Sequence, residues 1–175
     1  INLTFYQTRF VEKRPFFLEN SAIFDTPIEI FYTRRVGSNN VKINNAEKIT
    51  GKTINNLTYG LIHANTIKDT MINNQHMNMN NDYYVTRLTK DILLGNSYLG
   101  IMTSHLNDAN HVISVDGVFS INNNRINTDG QLVFSKNNGK VGRGFFYEFK
   151  YIAPQLFSVW FETDYYDKNF NINEV

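Results

Sequence analysis

The stretch HVISVDGVFSINNNRINTDGQLVFSK, residues 111–136, decides how the rest of the chain is read. Ahead of its central asparagines, Ile113, Val115, Gly117, Phe119 and Ile121 share one face. Ser114, Asp116, Ser120 and Asn122 share the other, with Val118 as the apolar exception. Beyond them, Ile126, Thr128, Gly130, Leu132 and Phe134 alternate with Asn127, Asp129, Gln131 and Ser135. A period of two belongs to strands, because successive side chains leave opposite sides of a pleated backbone. With a two-residue turn at Asn123-Asn124, Ile121 faces Ile126, Phe119 faces Thr128 and Val115 faces Leu132. Both apolar sets then fall on one side of the ribbon, and a one-residue slip would scatter them. Asparagine tolerates the positive φ such a turn needs.

Each arm is about ten residues, the length a tilted strand needs to cross a bilayer core. Apolar outside and wet inside is how an outer-membrane barrel strand reads. A sheet lying on a soluble core alternates in the same way, and by itself this hairpin fits that reading better.

Working outward, three more hairpins follow the same pattern. AEKITGKT turns at Asn55-Asn56 into LTYGLIHANT, with Lys48, Thr50 and Lys52 on one face. DYYVTRLTKDI turns at Gly95-Asn96 into SYLGIMTSHL, with Tyr84, Thr86 and Leu88 opposite Arg87, Thr89 and Asp91. GFFYEFKYI turns at Ala153-Pro154 into QLFSVWFETDYY. In the last of these Phe145, Tyr147, Phe149 and Tyr151 share a face with Phe157, Val159, Phe161 and Tyr165. A loop over residues 152–154 sets Phe149 against Phe157 and Phe145 against Phe161; proline cannot donate to a ladder and belongs at that turn. Residues 1–45 are irregular. RPFFLENSAIFDTP (14–27) reads as loop or short turn, a brief apolar run covers 28–32, and Arg34-Arg35 reads as a solvated or ion-paired surface feature.

Connections within hairpins are short, whereas residues 67–81 and 137–143 read as longer Asn-, Gly- and Lys-rich loops, with a shorter link at 107–110. Short turns at one end and longer loops at the other are the asymmetry of bacterial outer-membrane barrels. Tyr83, Tyr84, Tyr98, Tyr151, Tyr165 and Tyr166 gather near strand ends, as an interfacial girdle does. These features tip the reading towards the membrane. The expected architecture is all-β: an antiparallel up-and-down meander of about eight strands, part of a transmembrane β-barrel. Residues 1–45 form a plug-like or lead-in segment and 46–175 the strands.

Composition agrees without deciding. The 175 residues suffice for one domain with a core, and a net charge of +1 implies no polyanion partner. No basic stripe with interleaved aromatics is present, so nucleic acid is not an expected partner. Absent cysteine excludes disulfides, thiol catalysis and thiolate metal sites. No apolar run approaches the roughly 18 residues of a membrane helix, and a mean hydropathy of -0.36 suits a barrel with polar lumen and loops. The chain opens on Ile1 rather than methionine and is read as a fragment of a longer protein.

RPFFLEN (14–20), FYTRRVG (31–37), AEKITGKT (46–53), YYVTRLTKD (83–91) and the closing DYYDKNFNINEV together resemble one family. It is the domain of unknown function found behind a family 9 carbohydrate-binding-like module in envelope proteins of Gram-negative bacteria. The resemblance implies an outer-membrane barrel, with the bilayer as partner and carbohydrate as a candidate ligand. Family labels such as carbohydrate-binding protein or membrane-associated hydrolase belong mostly to the upstream module, and no catalytic residue carries over.

The chemistry is sparse. The charged flank nominates Lys48, Lys52, Arg87, Asp91, Asp116, Asp129, Glu148, Lys150, Trp160 and Glu162 as lumen-facing residues. Paired carboxylates such as Glu148 and Glu162 can hydrolyse glycosides at the right separation, yet a polar lumen also needs mixed charges merely to solvate and pair them. Trp160 can stack a sugar ring or simply pack. His63, His76, His105 and His111 lack ligand spacing, so no metal or cofactor is expected. GKVGRG (139–144) lacks the strand–loop–helix setting of a nucleotide site and reads as a mobile loop. Two alternatives stay open: a soluble ligand-binding β-barrel, with Phe145, Phe149, Phe157 and Phe161 pointing inward, and a membrane-associated glycoside hydrolase.

Overall fold

A computed structural model describes residues 11–37, 41–72, 75–93, 96–107 and 110–172. Eight strands follow one another in a single sheet: β1 (Lys42–Lys52), β2 (Leu57–Ile72), β3 (Gln75–Ile92), β4 (Ser97–Leu106), β5 (Asn110–Ile121), β6 (Ile126–Asn137), β7 (Lys140–Ala153) and β8 (Phe157–Tyr166). Spatial order equals chain order and every pair is antiparallel, which is an up-and-down meander. Among the described residues no pairing joins β1 to β8, so the sheet is open.

The β5–β6 register is the one that alternation demands: Val115 faces Leu132, Phe119 faces Thr128 and Ile121 faces Ile126. The turn is wider than two residues. Asn122, Asn123 and Asn124 all take left-handed φ (54°, 55° and 61°), and Arg125 N–H closes on the Asn122 carbonyl at 3.2 Å. Asparagine suits this run because its short polar side chain tolerates that backbone region.

Several expectations are corrected. The ladder starts at Lys42 rather than Ala46. Residues 67–81 are not a linking loop: β2 and β3 stay paired outward to Ile72 and Gln75, and Asn73 and Asn74 lie outside the described residues. Residue 137 and residues 140–143 are also strand. Asn137 pairs with Lys140 across a tight turn of Asn138 (φ 47°) and Gly139 (φ 80°), the Asn-Gly signature of a two-residue hairpin. Among the described residues the expected long links at 67–81 and 137–143 are therefore mostly ladder. At β3–β4, Gly95 of the expected turn lies outside the described residues, while Ile92 does pair with Ser97. In the last hairpin the turn sits two residues later, at 154–156, so Phe149 faces Phe161 and Phe145 faces Tyr165. Four residues of slip keep every side chain on its face, which is why alternation could not detect it.

The two faces differ sharply. Residues 11–37 lie across one of them, here the covered face. This segment holds a short helix α1 (Pro15–Leu18) and two 3-10 turns (Ser21–Phe24 and Thr33–Arg35). Its Phe17, Phe24, Ile28, Ile30, Phe31 and Val36 are buried with Ile62, Ala64, Tyr83, Val85, Met102, Val112 and Val133 of the sheet. Each buried side chain of this size contributes about 1.5–3 kcal/mol. Gly60 leaves the room for Phe24: a Cβ there would stand 2.7 Å from the ring. The apolar run 28–32 thus supplies core, and Tyr83, expected in a girdle, is buried against it. At the far edge the tail after β8 folds back over β7, where Gly142 and Gly144 sit directly beneath Phe170. Asn171 N–H donates to Ser135 Oγ at 3.2 Å, and Arg35 donates to the Ile172 carbonyl at 2.5 Å.

The opposite, open face carries the oily rows of all four hairpins. Ile49, Leu61, Leu88, Leu99, Ile101, Ile113, Val115, Leu132, Phe134, Val159 and Phe161 are all exposed there. Phe157 and Phe161, inward-pointing in a soluble ligand-binding barrel, are 58% and 53% exposed.

Candidate functional site

All ten nominated residues fall on the covered face, as the strand registers require. They are not equivalent. Residues 11–37 fill the half of that face towards the β2–β3 and β6–β7 turns with a dry core, so an aqueous interior along the whole face was too simple an expectation. The charged groups gather towards the other half.

At the border between the halves lies a buried ion pair. Arg87 on β3 reaches across Gly100 of β4 to Asp116 on β5; Nη2 stands 2.6 Å from Oδ2, and Nη1 binds Oδ1. The side chains are 1% and 0% exposed. A Cβ on Gly100 would meet both guanidinium nitrogens at 2.7 Å, so a glycine is what lets the pair close. The bidentate fork satisfies the carboxylate at two points. Arg87 Nε and the Ser104 and Ser114 hydroxyls nearby are buried without a hydrogen-bond partner in the protein. Such groups cost about 1–3 kcal/mol each, so this polar strip is not there for stability alone.

Towards the strand ends, Lys52 meets Asp91 at 2.5 Å. Lys48 instead donates to the Phe16 and Glu19 carbonyls and so fastens the covering segment. On β7 and β8, Lys150 binds Glu148 at 2.6 Å and Trp160 Nε1 donates to the same carboxylate at 2.9 Å. Glu162 faces Glu148 across the ladder. The two candidate carboxylates are thus neighbours, but Glu148 is already engaged twice, as a pairing group rather than a free general acid. Asp129 faces Glu148 from β6. Trp160 is 64% exposed, which leaves its ring available for stacking.

Sequence reading missed the cleft inside the covering segment. It encloses about 340 Å³ and is lined by Glu12, Asp25, Glu29, Phe17, Phe31 and Tyr32, among others. Rings beside carboxylates suit a ligand with polar edges and an apolar face. Its rim is held by Glu12, which accepts from Arg14 Nη2 at 2.7 Å, Arg14 Nε at 2.9 Å and Thr33 Oγ1 at 2.7 Å. Arg14 in turn donates to the Val36 and Thr33 carbonyls at 2.6 and 2.7 Å. The signal available was an acid two residues before the arginine of RPFFLEN, too ordinary a pairing to single out.

The Arg14 hydrogen bonds hold the Glu12 carboxyl well below its usual range. A carboxyl whose pKa is depressed by folding stabilises the folded state above its unfolded value, and that contribution fades as pH falls towards the depressed one. The covering segment is therefore expected to loosen progressively below about pH 4.5. Proteolytic cleavage within residues 11–37 should rise between pH 6 and pH 3, and Glu12→Gln should flatten that rise; an unchanged profile in the variant would remove the latch.

The histidines divide. His63 stacks on Tyr84 at 4.6 Å and approaches Asp82 at 3.3 Å, and the His105 and His111 Nδ1 atoms stand 2.5 Å apart, both sets on the open face. The His76 side chain lies outside the described residues. Among the described residues no three His, Asp or Glu converge on a point that could hold a metal.

Neither the curated proteins nor the solved structures yield a match to the chain. A family model described as Domain of unknown function (DUF5916) matches residues 1–42, so the likeness falls on the covering segment and the first residue of β1, and includes the RPFFLEN and FYTRRVG motifs but none of the ten nominated strand residues.

Proposed function

We propose that this chain is part of an outer-membrane β-barrel of a Gram-negative envelope, with residues 11–37 as an internal plug and the charged strip lining what space remains. One observation carries the reading: the sheet leaves its oily face uncovered while burying an ion pair on the other. Exposed apolar surface of this extent on a monomer signals an apolar partner. A bilayer fits, because the oily residues recur on every strand rather than in one patch. On β5 they run from Ile113 to Ile121, about 27 Å along the strand and about 20 Å in height at a barrel's tilt. The open edges β1 and β8 are the places where further strands would close the ring.

The envelope role is docking or passage of carbohydrate, in company with a family 9 carbohydrate-binding-like module elsewhere in the protein. The acid- and ring-lined cleft and the exposed Trp160 beside Glu148 are the two places suited to a sugar. Cells expressing the full-length gene test the reading. The protein should pellet with outer membranes and resist carbonate extraction; recovery as a soluble monomer would refute it.

A further inference from the structure

Resting on that membrane reading, we propose that the open face holds a specific seat for a phospholipid with an anionic headgroup, on β4 to β7. Four nitrogen-bearing side chains meet at one rim. His105, His111 and Lys136 are register neighbours, and Arg143 lies beside Phe134 one step below. Lys136 and Arg143 are exposed. No Asp or Glu belongs to these rows among the described residues. Of the described carboxylates, Asp167 beside Arg143 accepts the backbone N–H groups of Arg143 at 3.0 Å and Asn169 at 2.8 Å, and Asp82 on β3 lies two residues from Tyr84, the register partner of His105.

Beneath the rim the surface is oily: Ile113 and Phe134 come first, then Val115 and Leu132. The strip ends in a trough of about 380 Å³ where Gly117 faces Gly130, walled by Leu99, Phe119, Phe145 and Tyr147. Two glycines opposite one another interrupt a row that is otherwise filled by large side chains, and the gap admits something slender. From Lys136 to Gly130 is six residues of β6, about 20 Å along the strand and about 15 Å in depth at a barrel's tilt. That is half of a hydrocarbon core about 30 Å thick, the reach of one leaflet. Cations at headgroup level and a slot at the level of chain ends describe one molecule: phosphate at the rim, an acyl chain down the strip and its end between the glycines.

The seat can be altered without touching the core. Lys136 and Arg143 are exposed, and a Cβ on Gly130 meets nothing nearer than 3.6 Å. The full chain is reconstituted into phosphatidylcholine vesicles and into mixed phosphatidylcholine–phosphatidylglycerol vesicles, extracted in mild detergent, and its retained lipid is weighed by native mass spectrometry. The wild type should retain phosphatidylglycerol in preference. Lys136→Gln with Arg143→Gln should lower that preference about twenty-fivefold, at about fivefold for each cation close to an anionic surface. Gly130→Leu should keep the preference but lower the amount retained. A wild type that enters both vesicles and shows no preference overturns the seat and leaves the membrane reading standing. Displacement of the lipid by inorganic phosphate alone also overturns it, in favour of a simple anion site. A chain that enters neither vesicle overturns both.

Discussion

Asp116→Ala is expected to destabilise the sheet by about 3–5 kcal/mol, the usual cost of leaving one partner of a buried pair uncompensated. The figure follows from where Arg87 sits. Its guanidinium is enclosed above Gly100 and cannot swing out to water without unstacking the strand neighbours, and its side chain is 1% exposed. Asp116→Asn keeps the shape and removes the charge, and should cost nearly as much, because one carbonyl oxygen replaces a bidentate anion. Arg87→Met with Asp116→Leu should recover most of the loss, since an apolar pair of similar volume avoids desolvating two ions. Gly100→Val should mimic the single variants by driving Arg87 aside. Urea unfolding followed by circular dichroism in detergent reads all four. A loss below about 1 kcal/mol for Asp116→Ala would place that carboxylate in water and remove the enclosed pair from the account.

The second large effect concerns the seat of the covering segment. Phe24→Ala empties a ring-sized space in the core and should cost about 3–5 kcal/mol. Gly60→Val attacks the same contact from the sheet, pushing a branched side chain into the ring that stands 2.7 Å from its first carbon; overpacking of that kind costs about 1–3 kcal/mol. The two are one contact seen from both sides, so they should not add. In the Phe24→Ala background Gly60→Val should become nearly neutral, because the valine occupies the space the ring has left. A double-mutant cycle measures the coupling. Strict additivity would mean that the segment does not rest on Gly60. Protease sensitivity within residues 11–37 offers an independent readout, rising in each single variant and going no higher in the double one than in Phe24→Ala.

The strands and their faces were legible because they depend on neighbours two apart, which any alternation displays. The β5–β6 register was legible too, since Ile121, Phe119 and Val115 had matching partners and the asparagines marked the bend. The β7–β8 register was not. Phenylalanine and tyrosine recur so evenly there that a shift of four leaves the faces unchanged, and only the turn at 154–156 distinguishes the alternatives. Asparagine-rich segments misled for a related reason. The residue favours both loops and left-handed turn positions, so 67–81 and 137–143 read as links when pairing carries the ladder through them.

By itself the chain determined its class, its strand order and the division into an oily and a charged flank, because these are properties of consecutive residues. Tertiary structure alone decided what fills the charged side. Whether RPFFLEN and the run 28–32 would hang free or lie across the sheet depends on Gly60, which makes room for Phe24 from more than twenty residues away, on the two carbonyls reached by Lys48, and on Gln131 bonding to Ile28. Contacts between residues so far apart leave no period in the sequence, and Arg87 could find Asp116 only once β4 had brought a glycine between them.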